Sequence, residues 1–523
     1  MRAVVGVVLV ASCASTEPGA DGSVDAAAVD APRAIDAGAT DAPSSIDSST
    51  DAASTDPGCW PFDPPPLATL RASEHLVFAH YFSAFPISID DHPAATDYYA
   101  TGYLDPAGEH GAHAYCGGFL RERPWPQTPW PAGVDYEEKN MEIEVRRAAA
   151  IGLDGFTFDV LDPAPTSVHR RRLDALLTAA SAVDPGFRIQ LVLDMTTSAF
   201  GGASSGTDAI AMQGMTTLFD GVGSNPALQR LSDGRIVVSA FAAERRSAAF
   251  WQSALTTLAT MGYRIALVPM PVGGWAGNAS HFAGVPIYGA SSWGTRTVIG
   301  AAGLRTAADA PHAAGLVWMS PVAPQDSRPK DLTFVEADNS MAYRAQWEAA
   351  ITAGADWVQL ITWNDYSEDS EMALSSRTRT VFYDLAAYYV AWLKTGVPPP
   401  IVRDGLYLVH RTNDMHAMPD LTMQRSVYAA VNGPTTSSDM IEVVGMLVSP
   451  ATLEIEIAGH TSSMDVGAGL QSFRIPLVEG TPIARIVRGG STMLTLTSES
   501  PISNTIVFQD PLYHGTSSTT CAR

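Results

Sequence analysis

The residues able to do chemistry sit at the ends of short apolar runs. The run at 75–82 carries His80 and Tyr81. The run at 155–160 carries Asp159, and that at 188–194 ends on Asp194. Glu244 follows the run at 236–241, and Trp293 follows the run at 286–290. The run at 357–362 leads into Trp363-Asn364-Asp365-Tyr366-Ser367-Glu368. Paired carboxyl groups can give and take protons, aromatic rings stack on sugar faces, and amides hold hydroxyls. Together these are the equipment for cleaving a glycosidic bond. Each residue alone has a plainer reading. An Asp at a strand end often caps the next helix. His80 can be a satisfied core histidine, and Glu244 beside Arg245 and Arg246 can form a surface ion pair.

The elements that must position these residues follow from the pattern. Eight runs, at 75–82, 155–160, 188–194, 236–241, 265–269, 286–290, 316–320 and 357–362, are rich in Val, Ile, Leu and Phe. Such short continuous runs suit strands buried on both faces. Helical patterns at 140–151, 169–183, 248–261, 342–353 and 381–393 lie between or after them. This alternation predicts an α/β fold, a (β/α)8 TIM barrel over 58–397, with its active site at the C-terminal strand ends. An open doubly wound sheet is the alternative, but no dinucleotide glycine fingerprint is present. The connection at 83–139 is long and carries Tyr98, Tyr99, Tyr103, Tyr115, Phe119, Trp125 and Trp130. These rings either stack on sugars or pack the loop down. After Pro398-Pro399-Pro400 the pattern changes to alternating runs separated by turn residues. That predicts a C-terminal β-sandwich over 398–523.

The start of the chain reads as an export signal. Met1-Arg2 precede an apolar run from Ala3 to Ala11, followed by Ser12-Cys13. The run is shorter than the roughly 20 residues a membrane helix needs. Val10-Ala11-Ser12-Cys13 resembles a bacterial lipobox, so 1–13 is read as a lipoprotein signal with Cys13 as the lipidated residue. Residues 14–57 are almost all Ala, Asp, Ser, Thr, Gly and Pro. That composition cannot bury enough apolar surface to fold, and it predicts a disordered tether. An exported chain held to a bacterial membrane by its lipid, at the outer surface or in the periplasm, is the expectation. Residues 1–57 hold nine acids against two bases, leaving −16 of the total −23 for the rest. So acidic a body argues against nucleic acid as partner. With Cys13 lipidated, Cys59, Cys116 and Cys521 allow one disulfide. Both Cys59–Cys521 and Cys59–Cys116 satisfy the spacing. No Cys/His cluster implies a metal, and no cofactor is expected.

The stretch Trp357-Val358-Gln359-Leu360-Ile361-Thr362-Trp363-Asn364-Asp365-Tyr366-Ser367-Glu368 resembles the signature of glycoside hydrolase family 71, the α-1,3-glucanases or mutanases. Other segments are similar to that family in the same order. They are Val77-Phe78-Ala79-His80-Tyr81, Gly152-Leu153-Asp154-Gly155-Phe156, Leu193-Asp194-Met195, Val238-Ser239-Ala240-Phe241, Ser292-Trp293-Gly294 and Met319-Ser320-Pro321. The resemblance implies an endo-acting inverting α-1,3-glucanase with Asp365 and Glu368 as the catalytic pair. Glu368 is favoured as acid and Asp365 as base, with the reverse assignment open. It also implies substrate contacts from His80, Tyr81, Asp159, Asp194, Trp293, Trp363, Asn364 and Tyr366. The chain departs from the family pattern around the mouth. Ser367 replaces Gly, Asp369-Ser370 replaces Ser-His, and Asp159 stands where many members have Asn.

Three rivals follow from the same residues. One is a glycosidase of a related barrel family acting on another polysaccharide. Family 99 is an example, but its Trp-Asn-Glu-Trp type of motif differs from Asp-Tyr-x-Glu here. Another is a tethered surface lipoprotein that binds carbohydrate without cutting it, whereas the main reading expects a monomer acting on a polysaccharide. An acyl hydrolase would need a Gly-x-Ser-x-Gly elbow at a strand end, and none is found.

Overall fold

The eight apolar runs hydrogen-bond side by side as parallel strands. They are β1 (Leu76–Tyr81), β2 (Gly155–Val160), β3 (Arg188–Asp194), β4 (Ile236–Phe241), β5 (Ile265–Met270), β6 (Gly289–Ser291), β7 (Val317–Val322) and β8 (Trp357–Leu360). The computed structural model describes residues 59–202 and 208–519. The signal at 1–13, Cys13, the tether at 14–57 and Cys521 therefore lie outside the described residues. The strand order is β5-β4-β3-β2-β1-β8-β7-β6. A parallel bridge from Leu267 to Ile287 joins the two ends, with Tyr288 N donating to Leu267 O at 2.8 Å. The sheet thus closes into the expected (β/α)8 barrel, and no open edge remains.

Alternation along each strand sorts side chains to two sides. On β1, Val77, Ala79 and Tyr81 join the shell between barrel and helices, while Phe78 belongs to a separate inner cluster with Val237, Val268 and Met319. Further up the lumen the inner side chains turn polar. Gln359 Nε2 donates to Thr157 Oγ1 at 2.9 Å, and Gln190 Nε2 donates to Ser239 Oγ at 2.6 Å. The barrel is apolar at one level, amide-lined at the next, and acidic at its C-terminal end.

The expected helices form at Tyr136–Ala150, Val168–Val183, Ala248–Thr260, Met341–Thr352 and Val381–Thr395. Asp135, Ser167 and Ser247 cap the first three, each side chain accepting from an amide of the first turn. That is what short oxygen-bearing side chains do at a helix start. A helix at Asp208–Val222 was not expected. Gly214 and Gly221 dilute its propensity in sequence. Gly214 is required all the same, because a Cβ there would lie 2.5 Å from Ala199 O.

Past Gly396, which ends the last barrel helix at φ 78°, two antiparallel sheets form the sandwich. Its strands are β9 (Gly405–His410), β10 (Met440–Leu447), β11 (Ala451–Ile457), β12 (His460–Val466), β13 (Gly469–Pro476), β14 (Ile483–Arg488), β15 (Ser491–Thr497) and β16 (His514–Ser517). One sheet runs β13-β10-β9-β16 and the other β12-β11-β14-β15. Leu406 and Leu408 of β9 face the sandwich core, whereas Tyr407 and Val409 join the barrel core. The sandwich is therefore seated on the barrel by one strand face. Cys59 is disulfide-bonded and Cys116 is a buried free thiol. A Cys59–Cys116 bridge is thereby excluded, and the partner of Cys59 lies outside the described residues.

Candidate active site

Two strand ends and one loop bring carboxylates to the barrel mouth. Asp159 ends β2 almost fully buried. Its Oδ2 lies 3.9 Å from His80 Nε2, and its Oδ1 meets no donor. Asp194 ends β3, and its Oδ1 accepts from Thr196 N at 2.8 Å and Thr196 Oγ1 at 2.6 Å. Burial raises Asp159 well above the ordinary carboxyl range, and the charges of Asp194 and Asp365 push the same way. Burial also raises Asp194, while the Thr196 hydrogen bonds and Arg245 oppose it. Like charges crowded in a dry site cannot all ionise, so protons are shared among them.

The loop that carries Asp365 and Glu368 follows β8 after a cis peptide bond between Ile361 and Thr362. Its backbone is tied on every side. Trp363 N donates to His80 O at 2.7 Å, Thr362 N to Ser370 O at 2.8 Å, and Ser370 N to Asp365 O at 3.1 Å. Asp365 N bonds Thr362 Oγ1 at 2.7 Å. The Asp365 carboxylate accepts from Ser367 N at 3.0 Å and Ser367 Oγ at 2.7 Å. Burial raises Asp365, and the Ser367 donors, Lys330 and Arg328 pull it back. Glu368 keeps 17% of its side chain exposed and lies 3.1 Å from Arg328 Nη2. Burial pushes its carboxyl up to about 7. Arg328 and Arg296 oppose this, while Asp326 and Asp365 add to it. The loop thus offers one carboxyl held as an acceptor and one poised to carry a proton near neutrality.

His80 and Trp293 complete the mouth. His80 is buried, and burial lowers its ring to about 3, so it is neutral. Gln359 Nε2 donates to its Nδ1 at 3.2 Å, which leaves the ring proton on Nε2 facing Asp159. Trp293 is half-buried. It meets His80 edge-on at 5.0 Å and Phe241 at 4.7 Å, and the Arg296 guanidinium lies 5.8 Å from its ring centre.

Four expected contacts are placed elsewhere. Tyr81 is one residue from His80 and so faces outward. Its hydroxyl meets Met141 Sδ at 3.3 Å, and its ring packs on Phe156 and Phe158. Trp363 is fully buried behind the loop, with Nε1 donating to Glu144 Oε2 at 2.9 Å. Asn364 accepts from Phe82 N at 2.7 Å and donates to Phe82 O and Phe85 O. It fastens the loop that leaves β1. Tyr366 lies in an apolar cluster with Phe85, Tyr99 and Leu120. These four hold the Asp365–Glu368 loop and its neighbours from behind and do not line the mouth.

The residues missed in sequence are Arg296, Asp326 and Arg328. Asp326 takes both Arg328 Nε and Nη2 at 2.9 Å, and lies 3.7 Å from Arg296 Nε. Their signal was position alone. Gln325-Asp326-Ser327-Arg328 follows β7, where a barrel places functional groups. The loop aromatics of 83–139 pack largely on one another, as Tyr103 does with Phe85, Tyr98, Tyr99 and Phe119. Among the described residues, the one group with metal-ligand spacing is Asp414, His416 and Asp439. It lies in loops beside β9 and β10, and Asp439 is also engaged by Arg411.

The model of glycosyl hydrolase family 71 matches residues 132–513. The chain belongs to this family. It is a glycoside hydrolase. A glucan endo-1,3-alpha-glucosidase of Schizosaccharomyces pombe is 22% identical over 415 residues, 73% of this chain and 91% of that protein. A mutanase of Penicillium rubens is 26% identical over 202 residues, 35% of this chain and 44% of that one. Among solved structures, the chain is similar to the GH99 endo-alpha-mannosidase from Bacteroides thetaiotaomicron. There the identity is 11% and the TM-score 0.47, covering 62% of this chain and 98% of that one.

Proposed function

We propose that this family 71 hydrolase is an endo-acting, inverting α-1,3-glucanase. Glu368 is its general acid and Asp365 its general base. The observation that carries the role assignment is the contrast within one loop. Glu368 is pushed up to about 7, so it can hold a proton at neutral pH. Burial raises Asp365 too, but it receives two donors from Ser367, which favour its charged form. Glu368 gives its proton to the glycosidic oxygen as that bond breaks. Asp365 takes a proton from water as the water oxygen bonds the anomeric carbon from the opposite face. The linkage is supported by the two relatives named above, whose names specify α-1,3-glucan cleavage or mutanase activity. Neutral His80 and half-buried Trp293 supply a donor and a ring face for sugar hydroxyls and carbons.

The test is product release from insoluble α-1,3-glucan by the chain from Cys59 onward. The anomeric configuration of the first products is followed by NMR. Soluble oligosaccharides of inverted configuration are expected. Retained configuration would overturn the mechanism. Cleavage of a different polysaccharide alone would overturn the linkage. Binding without cleavage of any glycan would leave a carbohydrate-binding role. Export and lipid anchoring through Cys13 are part of the same proposal. They predict a membrane-bound full-length chain that Cys13→Ser releases to the soluble fraction.

A further inference from the structure

Glu368 shares its nearest cation with another carboxylate. Arg328 lies on a short strand, Asp326–Arg328, paired antiparallel with Thr333–Val335. Its Nε and Nη2 form a two-pronged bond to Asp326 at 2.9 Å each. The same Nη2 stands 3.1 Å from Glu368 Oε2, yet that oxygen has no aligned donor. The contact is therefore ionic rather than a formed hydrogen bond. The strand is also sewn to the catalytic loop. Ser327 N donates to Glu368 O at 2.8 Å, and Ser327 Oγ donates to Asp369. A guanidinium fixed this way by its neighbour cannot follow Glu368. Glu368 must move onto it or off it.

We propose that Arg328, aimed by Asp326, is the positioning residue that receives the Glu368 carboxylate when its proton has gone to the leaving oxygen. While Glu368 carries its proton, the fork is spent on Asp326. As the O–H bond of Glu368 breaks, negative charge appears on its oxygens, and the Arg328 Nη2 is already in place to accept it. The proton that Asp365 takes from water is exchanged with solvent, and Glu368 is reprotonated from solvent before the next turnover. The groups facing Glu368 are Arg328 and Arg296, which favour its charged form, and Asp326 and Asp365, which oppose it. Lys330 acts on Asp365. This inference rests on Glu368 being the acid.

Because Glu368 must be protonated to act, activity falls as pH rises through its pKa. Arg328→Gln removes the cation and should move the alkaline limb of kcat/KM up by about one pH unit or more. Asp326→Asn removes an opposing anion and frees the fork for Glu368, so the limb should move down. Arg328→Lys keeps the charge but not the two-pronged grip. Its limb should stay near wild type while kcat falls about tenfold with little change in KM. A carbon-13 NMR titration of the Glu368 carboxyl, assigned with Glu368→Gln, reads the same shifts without substrate. Opposite displacements in Arg328→Gln and Asp326→Asn are expected. Displacements of one sign, or none, in folded variants would overturn the role of Arg328. Full activity in Glu368→Gln would instead overturn the acid assignment on which it rests.

Discussion

At the seam between barrel and sandwich, Arg411 and Glu336 are each 1% exposed and lie 3.0 Å apart. At the mouth, Asp159 is almost as buried, yet one of its oxygens meets no donor. Neither Arg411 nor Glu336 leaves a buried polar atom without a partner. Glu336 also accepts from Tyr513 Oη at 2.5 Å, Asp338 N at 2.8 Å and Ser438 N at 3.1 Å. Arg411 also donates to Pro511 O at 2.8 Å, and its guanidinium lies 4.1 Å from the Tyr513 ring centre. Burial alone would raise Glu336, but Arg411 and Tyr513 outweigh it and hold it below its usual range. At the mouth burial wins, and the neighbouring acids reinforce it. Equal burial thus gives opposite titration. A paired charge locks two domains, while crowded acids keep protons available for chemistry.

The comparison breaks first at the proposed catalytic pair. Glu368→Gln and Asp365→Asn should each lower kcat by about 10^4-fold without lowering Tm, since each removes a charge from a crowded site. A loss of Tm comparable to a seam variant would mean that these acids are structural. The seam should show the reverse. Arg411→Met leaves Glu336 buried without its cation and should cost about 3–5 kcal/mol, read by urea unfolding. At a temperature where that variant is folded, its kcat should stay within about twofold of wild type. A large fall in kcat would show that the sandwich shapes the mouth.

A third test sharpens the border between the mouth and what lies behind it. Trp363→Phe keeps the ring in the core but removes the donor to buried Glu144. The expected cost is about 1–3 kcal/mol of stability, with KM unchanged. A rise in KM would return Trp363 to the substrate surface.

The strands of the barrel were legible because each is a short apolar run. Gly155–Val160, Arg188–Asp194 and Ile236–Phe241 have the bounds read from sequence. His460–Val466 was not, since it is an exposed strand without apolar alternation. The same logic divides the site. Asp159, Asp194 and Trp293 could be placed at the mouth from strand ends alone. Tyr81 was misplaced because its neighbour His80 faces inward and period two sends the next residue out. Trp363 and Tyr366 sit in a motif beside Asp365, and a motif does not say which side of a loop each ring takes. Arg328 meets Glu368 across about forty residues of chain, and no local pattern marks such a pairing.

The smallest expected effect is a stability change with pH, and it separates the two regions by sign. Glu368 rises from its usual 4.5 to about 7 on folding. Its contribution is therefore present in full below about 4.5 and is lost as pH climbs through 7. Glu336 is lowered, so its contribution is present above its usual 4.5 and is lost as pH falls through its folded value. Tm should then fall between about pH 5 and 8 because of the mouth, and fall again in acid because of the seam. In Glu368→Gln the neutral-side decline should shrink but not vanish, since Glu144, also raised to about 7, still contributes. The acid-side fall should be untouched. If Glu368→Gln leaves the neutral decline as steep as wild type, Glu368 titrates as it would in an unfolded chain, and the mouth is not the proton store that its geometry describes.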